Sequence, residues 1–418
     1  MASPMFSKYS WLDFLFSVVG VCTFLFDVGS DIWVATEFYS RGDFLWFGVL
    51  IGLMVLSSVV VQMFSWFWFK YDRELEGFDE QTANVLFGGC VKLSFLLHVL
   101  QLRFFCRNIS AIWQGFRVWW RREQCSGYAV YLTYDLRMLR LIETFCESAP
   151  QLTLMTHTML HTNKASTVQC VSVVASTTSI PWMVVEYHHS LRSFLPDKAK
   201  QGWGSALVYF LWNLLLIAPR VASVALFATV LPSYVAAHFL LIWPVLVFWV
   251  WRQETDFMDS ASGEWLYRAT VGLIWYFSWF NVAEGGTRGR SIIYHSFMAT
   301  DGGILLVTWW FYRDPVLTQS YAPILLATLP LTYLMGVLFK TLYYCYFHPT
   351  LWSPPVREIE LEEGLPDGQE MVFRTIGPQT GTPRFRNKRM ASHATHFYSE
   401  EETRQPSRTT GPKANTVV

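Results

Sequence analysis

Long apolar runs alternate with short polar connections along most of the chain, and the alternation stops near residue 349. A helix needs about 20 apolar residues to cross a hydrocarbon core that is ~30 Å thick. The pattern therefore predicts an all-α polytopic membrane protein. Its ten apolar segments are residues 11–38, 43–69, 85–113, 129–160, 165–189, 203–230, 234–251, 263–284, 291–312 and 320–347.

The positions of Lys and Arg between these segments indicate how the chain crosses the membrane. If all ten segments crossed in turn, most of the connecting cations would lie outside, against the rule that cytoplasmic loops carry the positive charge. If segments 85–113 and 263–284 instead enter and leave on the cytoplasmic face, the external cations reduce to Arg41, Lys164 and Arg313. We therefore predict eight transmembrane helices and two half-inserted re-entrant helices, with both termini cytoplasmic.

Composition divides the chain into a membrane domain, residues 1–349, and a tail, residues 350–418. We expect the membrane domain to consist of two halves, 1–200 and 201–349, each with two spans, a half-inserted helix and two further spans. The tail is rich in Pro, Gly, Thr and charged residues, a composition typical of a disordered segment. We predict a disordered cytoplasmic tail with a regulatory role.

Charged residues inside the apolar segments are the strongest functional signal. Asp27 and Asp31 are four residues apart and share a helix face, and Asp13 lies close to the same face. In the segment DLRMLRLIETFCESAPQLTL (135–154), four polar residues fall on one side, and the half after Pro150 is mostly apolar. These four are Arg140, Glu143, Glu147 and Gln151. Further candidates for the same interior are Glu186, on a helix face with Trp182, and Arg220.

Two interpretations of these charges stay open. An isolated charge at the centre of a bilayer costs about 2.5–3.5 kcal/mol, so the charges must pair or face water. In the first interpretation, Arg140 and Arg220 neutralise the acidic residues and hold the helices together. In the second, charges at successive depths form a route for a hydrophilic molecule. Both can hold at once.

Composition and motifs argue against most other functions. Hydrophobic residues make up 52% of the chain, only 15% are charged, and the net charge is zero, so nothing indicates a nucleic-acid partner. The sequence contains no Walker A, HExxH or G-x-S-x-G motif, and its seven cysteines are scattered without a CxxC pair. We therefore expect no enzymatic activity, no cofactor and no metal site. A small-solute transporter or an ion channel is the main alternative to a lipid route.

Six ordered motifs resemble the XK-related membrane proteins, over roughly residues 10–350. They are FLFDVGSDIW, MLRLIETFCESAPQLTL, YFLWNLLLIAPRV, TDFM, EWLYR and YFSWFNVAEGGTRGR. The resemblance implies eight spans, two half-inserted helices, and energy-independent, non-selective movement of phospholipids, including phosphatidylserine, between plasma-membrane leaflets. It also implies a single-span immunoglobulin-type partner, basigin or neuroplastin. The matching charged positions are Asp13, Asp27, Asp31, Arg140, Glu143, Glu147, Glu186 and Arg220.

The resemblance assigns two tryptophans, Trp46 and Trp182, to an external lipid-holding cleft. The chain also departs from close relatives at two positions: Glu186 stands where an Asp is common, and His189 where an Arg is common. We therefore expect the interaction between positions 186 and 189 to differ from that in the relatives.

The tail contains a candidate switch. Relatives carry a caspase site in this region, and Asp367–Gly368 is a bond of the required kind within an acidic segment. The alternative is an ordinary acidic linker, since Gly364 occupies a position where caspases favour Asp. A basic stretch with aromatic residues, 384–398, is by resemblance the inhibitory element that cleavage would release.

Overall fold

The computed structural model describes residues 11–74, 96–97, 103–121, 126–162, 167–194, 201–258, 260–282 and 287–348. Every regular element in these ranges is helical. The helices are α1 (Trp11–Arg41), α2 (Phe44–Glu74), α3 (Arg103–Arg121), α4 (Ser126–Glu143), α5 (Ala149–Thr162), α6 (Thr167–Phe194), α7 (Trp203–Val230), α8 (Pro232–Trp251), α9 (Ala261–Phe277), α10 (Thr287–Tyr312), α11 (Pro315–Thr318) and α12 (Ala322–Leu342). A π-helical turn, Thr144–Ser148, joins α4 to α5, and a second, Tyr343–Phe347, follows α12.

Four of the described helical stretches are long and apolar enough to cross a membrane. They are Phe44–Lys70, Trp203–Val230, Pro232–Trp251 and Ala322–Phe347. The chain is therefore a helical membrane protein, and most of the helices begin and end close to the limits of the predicted segments. The clearest differences are that α3 continues to Arg121, past residue 113, and that α9 ends at Phe277, before residue 284, with extended backbone at Ser278.

The end of α9 has a clear physical cause. The indole N–H of Trp275 donates to the carbonyl of Phe280 at 2.6 Å, and the hydroxyl of Tyr294 donates to the carbonyl of Trp275 at 2.6 Å. Non-helical backbone at membrane depth is tolerated where it is buried in protein, as residues 278–282 are. With 17 residues, α9 is about 26 Å long.

Helix α7 is the centre of the bundle, since it packs against α5, α6, α8, α9, α10 and α12. Its contact with α12 is close because Gly336 has no side chain: a Cβ at this position would lie 2.8 Å from the side chain of Leu216. A second core cluster joins α1, α2 and α5 through Val34, Phe38, Leu50, Leu154 and their neighbours. Helix α4, which carries Arg140 and Glu143, packs against α2, α3 and α6.

A tight turn connects α1 to α2. Gly42 has a positive φ of 79°, the amide of Asp43 donates to the carbonyl of Phe38, and the amide of Gly42 donates to that of Tyr39. This is the hydrogen-bond pattern of a helix that ends on a left-handed glycine. The two helices are therefore fixed as an antiparallel pair, with Trp46 in the first turn of α2.

Candidate functional site

The central element of the site is the π-turn Thr144–Ser148. Pro150 has no amide hydrogen to give to the carbonyl four residues earlier, and the widened turn lies directly before it. The amide of Ala149 donates instead to the carbonyl of Thr144, five residues back. Because π-turns change which side chains share a face, this turn sets how Glu143 and Glu147 are presented to α1.

Glu147 and Gln151 both contact Asp31 of α1. The amide Nε2 of Gln151 donates to the Asp31 carboxylate, and the Glu147 carboxyl group lies close to that of Asp31. Asp31 is 2% exposed, so this contact is shielded from water. The carboxyl pair of Asp31 and Glu147 therefore lies with the Gln151 amide in one polar contact between α1 and the helix before Pro150.

A cavity of about 400 Å³ lies between α1, α4, α6 and α7, next to this carboxyl pair. Arg140 and Glu143 line it with opposite charges, and Trp182, Met183 and Phe210 line it with apolar surface. The remaining lining side chains are almost all hydroxyls, from Ser30, Thr144, Ser148, Ser172, Ser176, Thr178 and Ser179. The cavity therefore offers donors, acceptors and both signs of charge within one small volume.

Arg140 is held in place from the side of α3. Its guanidinium donates to the side-chain oxygen of Asn108 at 3.4 Å, and Asn108 in turn donates to the carbonyl of Phe104 at 2.9 Å. Both residues are buried. Arg140 is thus a fixed positive charge at the wall of the cavity.

Trp182 and Glu186 lie one turn apart on α6. The indole Nε1 of Trp182 donates to the Glu186 carboxylate at 3.0 Å, and Glu186 is 7% exposed. The predicted shared face of these two residues is therefore a direct contact. The ring of Trp182 also lies 6.5 Å from that of Phe210 on α7, and both rings line the cavity.

Trp46 is half-buried on α2, and its indole lies 4.9 Å, centre to centre, from the imidazole of His157 on α5. The sequence analysis did not single out His157. Asp13 and Asp27 belong to α1, but their side chains lie outside the described residues, as do Asp367 and Gly368.

Arg220 has a different ion-pair partner from the one expected. It pairs with Asp301 of α10, and its Nε donates to the carbonyl of Tyr276 at 3.0 Å. His238 bonds the other Asp301 oxygen at 3.0 Å and the Tyr276 hydroxyl at 3.0 Å. Arg220 therefore neutralises Asp301, a carboxylate in the second half of the chain. The prediction that Arg220 neutralises acidic residues of α1 and α4 is wrong.

Asp301 was missed by the sequence analysis although a signal was present. It is an acidic residue in an otherwise apolar segment, 291–312, and such residues are costly enough to indicate a paired or functional role. Its partner could not be read from spacing, because Arg220 and Asp301 are 81 positions apart.

A further buried pair lies beside Arg140. Arg107 of α3 and Asp135 of α4 are 3.3 Å apart, and Arg107 also donates to the carbonyl of Ser65 at 3.3 Å. Arg137 donates to the hydroxyl of Ser190. These contacts connect α2, α3, α4 and α6. They support the interpretation that some of the buried charged residues hold the helices together.

The motif TDFM, in the connection before α9, is hydrogen-bonded to the motif EWLYR, in the first turns of α9. The Glu264 carboxylate accepts the amides of Phe257 at 2.9 Å and Met258 at 2.8 Å, and Arg268 donates to the carbonyl of Thr255 at 2.8 Å. The turn before it contains Glu254 with a positive φ of 53°. The contacts fix the connection between α8 and α9.

Within the described residues, no three side chains of His, Cys, Asp or Glu converge as a metal site. The lining of the cavity presents hydroxyl groups and side chains of both charges. Their chemistry suits a ligand that carries both a positive and a negative group.

The comparison with known proteins agrees with the pattern of motifs. A model of the family described as XK-related protein matches residues 15–349. XK-related protein 8 of Gasterosteus aculeatus is 67% identical over 405 residues, which cover 96% of this chain and 100% of that protein. XK-related protein 8 of Tetraodon nigroviridis is 66% identical, with 96% and 99% covered, and that of Pan troglodytes is 40% identical, with 92% and 94% covered. The chain belongs to the XK-related family.

Proposed function

We propose that the chain is a phospholipid scramblase, which moves phospholipids, including phosphatidylserine, in both directions between membrane leaflets without ATP. The observation that carries the proposal is the cavity that places Arg140, Glu143 and a row of hydroxyls inside a helical membrane bundle. Its volume, about 400 Å³, is within the range of sites for small molecules, and a lipid headgroup is of that class.

Charges of both signs favour a lipid headgroup over a single ion. The phosphate of a phospholipid is an anion and can bind Arg140. The ammonium group of choline, ethanolamine or serine can bind Glu143 and the face of the Trp182 ring. The hydroxyls of α6 replace part of the water that the headgroup loses. The acyl chains stay in the bilayer beside the cavity.

The carboxyl pair extends this polar surface along the same helix. Glu143 lines the cavity and lies close enough to Glu147 for their charges to interact, and Glu147 contacts Asp31. A headgroup that leaves Glu143 therefore meets a second acidic group before it returns to water. Asp27 and Asp13, further along α1, and Arg220 belong to the same proposed pathway.

The remaining parts of the proposal follow from the charge pattern and from the family. We propose eight spans and two half-inserted helices in the plasma membrane, both termini in the cytoplasm, and no enzymatic activity. A single-span immunoglobulin-type protein, basigin or neuroplastin, is the proposed partner for export. Cleavage by a caspase at Asp367–Gly368 during apoptosis is the proposed activating event.

The main experiment compares lipid and ion movement in the same preparation. Purified full-length and tail-truncated protein are reconstituted into vesicles that contain a fluorescent phospholipid and an entrapped ion indicator. A quencher that cannot cross the membrane removes the fluorescence of the outer leaflet only, so about half of the signal remains in protein-free vesicles. If the chain is a scramblase, vesicles with the truncated protein are expected to lose nearly all of the fluorescence.

The rival function is an ion channel or small-solute transporter that uses the same charges. It predicts ion flux without lipid exchange, and this result would overturn the scramblase proposal. A matched variant, Arg140→Gln, removes the fixed cation from the cavity wall and is expected to slow lipid exchange. Arg252→Gln, at an exposed position after α8, is the control and is not expected to slow it.

A further inference from the structure

A pair of histidines lies on α5 beside Trp46. His157 and His161 lie on α5, four residues apart and therefore on one face of the helix. Their ring centres are 5.6 Å apart. Two histidines one turn apart on a helix are a common way to chelate a metal ion, as both imidazoles can reach the same point.

The two imidazoles differ in their surroundings. His157 is 3% exposed and its ring is covered on one side by the indole of Trp46, whereas His161 is exposed. The Nδ1 atom of His157 is buried and has no hydrogen-bond partner among the described residues. A buried imidazole nitrogen without a partner is unfavourable, and coordination to a metal would give such a ring a compensating bond.

We propose that His157 and His161 bind one transition-metal ion at the end of α5, with solvent completing its coordination. Imidazole ligands favour Cu²⁺, Ni²⁺ and Zn²⁺ over Mg²⁺ and Ca²⁺, and Cu²⁺ is expected to bind most tightly. The site is open to solvent on the side of His161, through which the ion enters and leaves. It needs no third protein ligand, in keeping with the absence of any larger cluster in the described residues.

Metal binding at this pair has a consequence for Trp46. A metal that joins His157 to His161 restricts the rotation of the His157 ring, against which the indole packs. The bound ion thus holds the first turn of α2 against the end of α5. If the proposed function holds, the metal slows lipid exchange, because Trp46 and α5 border the pathway.

Metal binding is tested first without any lipid transport. Cu²⁺ is titrated into the purified full-length protein in detergent, and its nitrogen ligands are detected by electron paramagnetic resonance. The wild type is expected to bind one Cu²⁺ through two imidazole nitrogens. His161→Gln is expected to weaken this binding about tenfold or more, with loss of the two-nitrogen signal.

His161→Gln is the main variant because the side chain is exposed and its replacement does not disturb packing. His157→Gln tests the buried ligand and is expected to give the same loss. His348→Gln changes a histidine after α12 and is the control, for which we expect wild-type binding. Unchanged Cu²⁺ affinity in His161→Gln, or no nitrogen-bound Cu²⁺ in the wild type, overturns the proposal.

A second measurement follows lipid exchange in vesicles with Zn²⁺ on both sides. Zn²⁺ is expected to slow the wild type and to leave His161→Gln unaffected. A wild type that binds Cu²⁺ but moves no lipid contradicts the proposed function and not the metal site. A wild type that moves lipid but shows no nitrogen-bound Cu²⁺ contradicts the metal site alone.

Discussion

The indole N–H of Trp182 donates a hydrogen bond to the Glu186 carboxylate, 3.0 Å away and one turn further along α6. The contact ties a residue of the cavity wall to a buried acidic group. The Glu186 side chain is long enough to reach the tryptophan of the previous turn.

Trp182→Phe tests this contact. It removes the donor and keeps most of the aromatic surface, so the free energy of unfolding is expected to fall by about 1–3 kcal/mol. Thermal unfolding in detergent measures the change. Trp33→Phe, at an exposed position of α1, is the control and is expected to change stability by no more than about 0.5 kcal/mol. Equal stability of the two variants would contradict the importance of the hydrogen bond.

Two variants of Glu147 test the carboxyl pair. Glu147→Gln keeps the size of the side chain and places an amide donor next to the Asp31 carboxylate, so stability is expected to remain within about 0.5 kcal/mol. Glu147→Ala removes the contact and is expected to cost about 1–3 kcal/mol. The free energy of unfolding of each variant is measured, and the two losses are compared. If Gln and Ala destabilise the protein equally, Glu147 does not hydrogen-bond Asp31.

The pair of Arg220 and Asp301 should be among the most sensitive contacts in the second half of the chain. Asp301→Ala leaves a buried guanidinium without its carboxylate, and breaking a buried pair in this way costs about 3–5 kcal/mol. The neighbouring Thr300→Ala, at an exposed position of α10, is the matched control. A loss below that of Thr300→Ala would show that the pair contributes nothing to the fold.

The close contact between α7 and α12 can be probed with alanine. Gly336→Ala places a methyl group 2.8 Å from Leu216 and 3.0 Å from the backbone of Leu215, and is expected to destabilise the protein by about 1–3 kcal/mol. Gly302→Ala, where no atom lies within 4 Å, is expected to be neutral or slightly stabilising. The free energies of unfolding of the two variants are measured in the same detergent and compared.

The tail prediction concerns Asp367. Removal of the residues after Asp367 is expected to raise exposure of phosphatidylserine on cells without any apoptotic stimulus. Asp367→Ala is expected to block activation by such a stimulus, as the caspase needs an Asp before the bond it cuts. Annexin binding at the cell surface measures both. Normal activation of Asp367→Ala would place the cut elsewhere in the tail.

Much of the helical architecture could be predicted from hydropathy, because an apolar run of sufficient length has few alternatives in a membrane. The predicted segment 203–230 has the same limits as α7. The end of α9 could not be predicted in this way, since it depends on the indole of Trp275 capturing the carbonyl of Phe280. Such a contact depends on tertiary geometry.

The candidate site shows the same limit. Helical spacing correctly placed Trp182 and Glu186 on one face, because positions four apart are adjacent on any α-helix. The same reasoning could not find the partner of Arg220, which belongs to another helix far along the chain. It also treated residues 135–154 as a uniform α-helix and so missed the widened turn before Pro150.

That widened turn has a consequence for how the protein tolerates change in its length. A π-turn contains one residue more than an α-turn, so deletion of a single residue within 144–148 would restore a regular helix. The two halves would then rotate against each other by about 100°. Arg140 and Glu143 would leave the cavity while the packing of α5 stayed in place. The orientation of the charged half is thus set by one inserted residue, and helix length is under tighter constraint here than the identity of most individual side chains.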